Sequence, residues 1–178
     1  PLTRIVVGFT LLIIFPSVVQ LGIRAVVGDG TTFADAVTVI VISVTALLTY
    51  TWFVRVVEKR PVSELALAPA LKELPVGALL GGALFATTIA ILWLLGYYQV
   101  SNVNAWQAMI PWLITGVISG IFEELLMRGI LFRIMEESLG TWLALIFSAL
   151  VFGALHLANP NATLWAGLAI AIEAGVLL

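Results

Sequence analysis

Long apolar stretches separated by short polar segments run through the whole sequence. The apolar stretches lie at about residues 5–27, 36–57, 76–98, 107–137, 141–157 and from 163 onward. A helix needs about 20 predominantly apolar residues to cross the ~30 Å hydrocarbon core of a bilayer. The pattern therefore predicts an all-α fold, a polytopic transmembrane helical bundle with about six spans, which forms a single transmembrane domain over residues 1–178.

Composition agrees with this prediction. Of the 178 residues, 62% are hydrophobic and 10% are charged, whereas a soluble domain is about half apolar and a quarter charged. The chain starts at Pro1 and ends within an apolar run at Leu178, so we expect it to be a fragment, truncated at both ends. The net charge of −2, with no basic run, argues against a nucleic-acid partner. The absence of cysteine excludes disulfides and thiolate metal sites.

The connection between the second and third spans is the most basic one. Its charged residues are Arg55, Glu58, Lys59, Arg60, Glu64, Lys72 and Glu73. The positive-inside rule places this connection, and with it the N-terminus, in the cytoplasm, and Asp29 and Asp35 outside. Residues 63–74 are predicted to form a short helix on the membrane surface or, equally, a solvated connector. We expect a multi-pass protein of a prokaryotic cytoplasmic membrane.

The fourth span carries charges in its apolar interior, in the sequence IFEELLMRGILFR of residues 121–133. A charge at the bilayer centre costs about 2.5–3.5 kcal/mol on insertion scales, so such residues are usually paired and functional. Glu124 precedes Arg128 by four residues, which favours a helical ion pair and leaves Glu123 as a proton acceptor. Small residues lie three, four and seven positions before Glu123, on the same face of the helix. Such a face predicts close helix packing and a Glu123 side chain that points into the bundle. These small residues are Gly116, Ser119 and Gly120.

The single histidine, His156, is predicted to lie at the depth of this acid pair. Glu124 and His156 are equally distant from a predicted turn at Gly140, so in antiparallel helices both stand about 24 Å from that turn. A carboxylate in a low-dielectric pocket suits a general base that activates water, and a neutral histidine can hold that water or polarise a carbonyl. The alternative is a buried Glu–Arg–His network that only fixes helix register.

Two motifs then resemble those of a known family. The EExxxR pattern of Glu123, Glu124 and Arg128 (EELLMR) and the FxxxH pattern of Phe152 and His156 (FGALH) resemble those of the CPBP intramembrane proteases. This family includes CAAX-processing endopeptidases and bacteriocin-related abortive-infection proteins. The resemblance covers about residues 58–178. A third family motif, a histidine with an asparagine four residues later, is not in this sequence, and we expect it beyond Leu178.

The resemblance implies an endopeptidase that cleaves a peptide bond near the membrane. Glu123 would activate water, His156 would help to bind it, and Glu124 would complete the catalytic set, while Asn159 is either an additional polar contact or a turn residue. The preferred mechanism needs no cofactor. Zinc remains an alternative, held by Glu123 and His156, although the sequence has no HExxH motif. The implied partners are a peptide or membrane-protein substrate and the lipid bilayer.

Three other functions are compatible with parts of the pattern. Within the family, the chain could be a non-catalytic bacteriocin immunity protein or a scaffold for a membrane complex. Buried Glu and His residues also occur in proton-coupled transporters, but the sequence lacks the internal repeat typical of many transporters. A rhomboid-like serine protease would need Ser119 near His156, and the surrounding GVISG is not the expected GxSG.

Overall fold

The computed structural model describes residues 1–28 and 32–177, and these residues are almost entirely helical. The turn predicted at residues 28–35, with Asp29, lies partly outside the described residues. The chain is 85% helical with no strand in the described part. Its helices are α1 (Leu2–Val27), α2 (Thr32–Val56), α3 (Leu67–Leu94), α4 (Ile110–Glu123), the π segment (Glu124–Phe132), α5 (Arg133–Leu139), α6 (Thr141–Leu155) and α7 (Leu164–Leu177). The prediction of an all-α polytopic bundle is confirmed.

Five helical stretches are long and apolar enough to cross a membrane. They coincide with the first five predicted spans, and the fourth of them joins α4, the π segment and α5 into one stretch over Trp106–Leu139. The sixth predicted span corresponds to α7, which has 14 residues. The chain is therefore a multi-pass membrane protein by the length and composition of its helices.

The third span differs from its prediction at both ends. Residues 63–74 form neither a separate surface helix nor a connector, because Ser63–Leu65 is a short 3-10 turn and α3 already begins at Leu67. The segment after Leu67 is rich in Ala, Leu, Lys and Glu, which have the highest helix propensities. Pro75 lies inside α3 without ending it, as membrane helices tolerate.

The chain divides into two compact units, residues 1–60 with 111–178, and residues 61–110. The second unit contains α3 and a 3-10 turn at Trp106–Met109. The first unit contains the other helices and all the residues of the candidate site. Its element order is an N-terminal hairpin of α1 and α2, then α4, the π segment, α5, α6 and α7.

The fourth span is a continuous helical stretch, but its centre is not an α-helix. Nine residues, Glu124–Phe132, form a π-helix, in which the backbone hydrogen bonds join residues i and i+5. The sequence predicted α-helical geometry throughout, and this expectation is wrong between Glu124 and Phe132. A π-helix is rare and usually limited to one turn, so a nine-residue example needs support from its surroundings.

The N-terminal hairpin packs against the π segment. Tyr50 and Phe53 of α2 are fully buried, as are Leu12 of α1 and Ile130 of the π segment. Gly8 of α1 allows this close approach, since an added Cβ there would lie 2.8 Å from the Ile130 side chain. In a membrane, close van der Waals packing of these side chains holds α1 and α2 to the π segment, because lipid is as apolar as the side chains themselves.

Beside this apolar contact lies a group of charged residues that we call the Glu58 cluster: Arg4, Glu58, Arg60, Arg133 and Glu137. The side chain of Glu58 is only 1% exposed, and its carboxylate forms ion pairs with all three arginines. Glu137 pairs with Arg4 at 2.6 Å and with Arg133 at 2.8 Å. The cluster therefore ties α1 and the turn after α2 to α5.

Small residues lie at the contact between α7 and α6, the helix that ends just before His156. Gly140, with φ of 78°, ends α5 and starts α6, which confirms the predicted turn. A side chain at Gly153 of α6 would collide with the carbonyl of Gly167 and with Ala171 of α7. Small residues let helix backbones approach closely in membranes, and at these positions they allow α7 to pack closely against α6.

Candidate active site

One cavity of about 340 Å³ brings the predicted residues together. It is lined by Glu123, Glu124, Met127, Arg128, Phe152, His156, Ile170, Glu173 and Ala174. Five of these residues are the members of the EExxxR and FxxxH motifs, and they come from α4, the π segment, α6 and the 3-10 turn His156–Ala158 that follows α6. The chain turns at Gly140 between the two motifs, and both motifs line this one cavity.

The junction of α4 and the π segment separates the two glutamates. Glu123 is the last residue of α4 and is half-buried, and its side chain makes no hydrogen bond or ion pair with any residue that the structure describes. Glu124 is the first residue of the π segment and accepts a hydrogen bond from Nη1 of Arg128 at 2.5 Å. The predicted ion pair is thus present. It leaves the carboxylate of Glu123 open to a molecule inside the cavity.

His156 is held in one orientation by the other residue of its motif. Its Nδ1 lies 2.9 Å from the carbonyl oxygen of Phe152, and the two ring centroids are 4.4 Å apart. A carbonyl oxygen only accepts hydrogen bonds, so Nδ1 must carry the proton. In neutral His156 the lone pair is then on Nε2, which acts as a hydrogen-bond acceptor.

The small residues of α4 do not pack as predicted. An added Cβ at Gly116 or Gly120 would meet no heavy atom within 4 Å in the described part of the chain, so the expected close helix contact is wrong there. The neighbouring helices α1, α5 and α6 contact the π segment instead. Glu123 lines the cavity at the junction of α4 and the π segment, without a close helix contact at Gly116 or Gly120 in the described residues.

Glu173 of α7 lines the cavity and was not among the predicted site residues. It lies three residues after Ile170 and one before Ala174, so all three share a helical face. Its carboxylate is exposed and has no hydrogen-bond or ion-pair partner among the described residues. The rule that drew attention to Glu123, a carboxylate within an apolar helix, applies equally to Glu173 and would have identified it.

Asn159 does not line the cavity. It lies in a turn in which its N–H donates to the carbonyl of His156 and its own carbonyl accepts from Ala162, both at 3.1 Å. Of its two predicted roles, the turn is observed and the polar contact in the site is not.

The donor set also fails to fit zinc. Among the residues that the structure describes, no group of three or more histidine, aspartate or glutamate side chains converges so that it could hold a metal ion. Structural and catalytic zinc sites use at least three protein ligands. We therefore derive no catalytic step through a metal.

Comparison with known proteins agrees with the motifs. Residues 104–178 match the family model described as type II CAAX prenyl endopeptidase Rce1-like. This match confirms the predicted resemblance, although it starts at residue 104 and the expected resemblance started at residue 58. It includes α4 to α7 and every residue that lines the cavity. Neither a curated protein nor a solved structure matches the chain.

Proposed function

We propose that this membrane protein is an endopeptidase that hydrolyses a peptide bond near the membrane with a water molecule activated by Glu123. One observation carries the proposal. A carboxylate without a partner among the described residues and an oriented imidazole line the same cavity, in the segment that matches a CAAX endopeptidase family. The positions of these two groups come from the structure. The proposed chemistry follows because a carboxylate can accept a proton from water and an imidazole can bind that water.

Glu123 is the general base of the proposed reaction. Its carboxylate takes a proton from water as the water oxygen attacks the carbonyl carbon of the substrate, which gives a tetrahedral intermediate. The protonated Glu123 then gives this proton to the leaving nitrogen as the C–N bond breaks. The products are a carboxylic acid and an amine, and the carboxylate is regenerated.

His156 positions the water. Because Nδ1–H donates to the carbonyl of Phe152, the Nε2 lone pair can accept a hydrogen bond from the same water that Glu123 deprotonates. Polarising the substrate carbonyl would require a proton on Nε2, which the neutral tautomer does not have. Of the two roles predicted for His156, its geometry therefore favours binding of water.

Arg128 supplies positive charge at the cavity wall. Its guanidinium is fixed by Glu124 and faces the space that the substrate would occupy. A fixed cation beside the reacting carbonyl stabilises the oxyanion of the tetrahedral intermediate more than the neutral ground state. Glu124 thus acts on the reaction by holding Arg128.

The substrate class follows from the size and location of the cavity. Ligand pockets usually measure about 300–1,000 Å³, and this one, at about 340 Å³, suits a short extended peptide segment. Most of the wall belongs to two helical stretches that can span a membrane, and the rest to the shorter apolar helix α7, so the segment would come from a membrane protein or a lipid-anchored peptide. A prenylated CAAX peptide is the probe that the matched family suggests.

Glu123→Gln tests the proposal directly. The full chain is reconstituted in lipid vesicles with a quenched fluorescent, farnesylated peptide that ends in a CAAX sequence. We expect turnover to fall at least about 100-fold, because the amide cannot accept the proton from water, with insertion unchanged.

Glu73→Gln is the matched control, since it removes the same charge from an exposed residue that does not line the cavity. Undiminished cleavage by Glu123→Gln would refute the hydrolytic mechanism. If the wild-type chain does not cleave the peptide either, the non-catalytic immunity or scaffolding role and the proton-coupled transporter are the remaining functions.

A further inference from the structure

The carbonyl of Gly129, in the middle of the π segment, receives hydrogen bonds from two side chains. The hydroxyl of Tyr50 donates to it at 3.2 Å and Nε of Arg133 at 3.0 Å. An added Cβ at Gly129 would lie 2.8 Å from atoms of the Tyr50 ring, so this ring packs directly on the backbone of the π segment. Tyr50 is fully buried, which leaves the ring little freedom to move away.

Both donors are in turn held by the Glu58 cluster. Arg60 donates to the hydroxyl of Tyr50 at 3.4 Å and to Oε2 of Glu58 at 3.2 Å. Arg133 donates to Oε2 of the same carboxylate and, through Nη1, to Glu137 at 2.8 Å. Two routes of hydrogen bonds therefore link the carboxylate of Glu58 to the carbonyl of Gly129. One runs through Arg60 and Tyr50, and the other runs through Arg133.

The π segment connects this contact to the candidate active site. Glu124, Met127 and Arg128 line the cavity, while the next residue, Gly129, meets Tyr50. Long π-helices are rare, and side chains that bond to the backbone ladder of a helix are a recognised cause of local departures from α geometry. The two side-chain donors to the Gly129 carbonyl, Tyr50 from α2 and Arg133 four residues further along the same helical stretch, favour the π form at this position.

We infer that Tyr50 and Arg133 are positioning residues that keep Glu124–Phe132 in the π form and so direct Arg128 and Glu124 to the cavity wall beside Glu123. The inference rests on the proposed hydrolysis and extends it to α2, which lies outside the residues that match the family model. In an α-helix each residue turns by about 100°. A change to α geometry would therefore rotate Arg128 relative to Glu123, which ends the preceding α-helix.

Tyr50→Phe is the first test, because it keeps the packed ring and removes the hydroxyl. We expect kcat for the farnesylated CAAX peptide to fall about fivefold to tenfold, the factor that one hydrogen bond supplies, with KM within about twofold. Tyr97→Phe is the matched control, since Tyr97 is exposed and its hydroxyl has no hydrogen-bond partner among the described residues. A loss of thermal stability without a change in kcat would contradict the positioning role.

Arg133→Lys separates charge from geometry. Lysine keeps a positive charge opposite Glu58 and Glu137 but lacks the Nε–H that donates to Gly129. The positioning role predicts that this conservative variant loses kcat to a similar extent as Tyr50→Phe. Full activity would show that only the charge of Arg133 matters and would overturn the inference for that residue.

A distance measurement tests the inference without any activity. The chain has no cysteine, so Leu113→Cys and Leu139→Cys, both at exposed positions on either side of the π segment, give two unique sites for spin labels. A π turn holds more residues than an α turn, so a change to α geometry lengthens the segment. We expect Tyr50→Phe to broaden the distance distribution or shift it to longer values.

An unchanged distance together with unchanged kcat would overturn the inference while leaving hydrolysis intact, provided that Glu123→Gln is inactive. If Glu123→Gln still cleaves, the proposed function fails, and the distance measurement alone decides whether Tyr50 supports the π segment.

Discussion

Glu58 and Glu123 are both carboxylates in a predominantly apolar chain, but their surroundings are opposite. Glu58 is 1% exposed and pairs with three arginines from three parts of the chain. Glu123 is half-buried beside a cavity and has no partner among the described residues. The charge of Glu58 is compensated by three cations of the fold, whereas the carboxylate of Glu123 can still bind a ligand.

This difference separates a structural charge from a reactive one. A buried carboxylate is stable only when it is paired, and removal of one partner from such a pair typically costs about 3–5 kcal/mol. A carboxylate at a cavity wall can instead accept a proton or a hydrogen bond from a bound molecule. The Glu58 cluster and the cavity thus both contain glutamate and arginine. In the cluster these charges hold the helices together, and in the cavity they are available to a bound molecule.

Among the variants that test this difference between the cavity and the Glu58 cluster, His156→Gln is expected to have the largest effect, a loss of kcat. Glutamine keeps much of the bulk but lacks the basic Nε2 that accepts a hydrogen bond from water, so we expect kcat to fall about 100-fold or more. The free energy of unfolding should change little. Vesicle assays of peptide cleavage and unfolding in mixed detergent micelles measure the two quantities, and a variant with normal kcat would remove His156 from the mechanism.

The next effect is expected from Glu58→Ala, which leaves three arginines facing an empty site. We expect the free energy of unfolding to fall by about 3–5 kcal/mol, measured by detergent-induced unfolding. Glu124→Ala is the matched comparison, because its pair with Arg128 lies at the wall of an open cavity instead of in the packed interior, so the loss of stability should be smaller. Equal losses of stability in the two variants would break the distinction between the two regions.

The smallest effect is expected from Glu173→Gln. Glu173 lines the cavity without a partner among the described residues, so its loss should change the free energy of unfolding by no more than about 0.5 kcal/mol. Any effect should appear in KM, most clearly for peptides that carry a lysine or arginine. A marked loss of stability would show that Glu173 is a structural charge like Glu58.

Much of the candidate site could be predicted because its spacings are local. Glu124 and Arg128 are four residues apart, and Phe152 and His156 share the same spacing, so helical geometry alone places each pair together. The distances of Glu124 and His156 from Gly140 then bring the pairs to one level. Glu173, a carboxylate within the last apolar helix, follows the same pattern as Glu123 and is equally visible in the sequence.

The π segment could not be predicted in the same way. Over nine residues, the apolar pattern of Glu124–Phe132 fits α geometry as well as π geometry, and the packing of Gly116 and Gly120 was inferred on the α assumption. What distinguishes the two forms is the contact of Gly129 with Tyr50 and Arg133. Tyr50 is 79 residues away from Gly129 in the chain, and a local sequence pattern cannot predict such a contact.

The sequence alone determined that this chain is a membrane-embedded helical protein, where its helices turn, and which acid and imidazole groups share a level. These properties depend on hydropathy and on the fixed rise of a helix, both of which are local. Only the tertiary structure decided that Glu58 is buried among arginines, that the centre of the fourth span is a π-helix, and that α7 completes the cavity. Those outcomes depend on contacts between residues distant in the chain, where packing and charge pairing compete with local geometry.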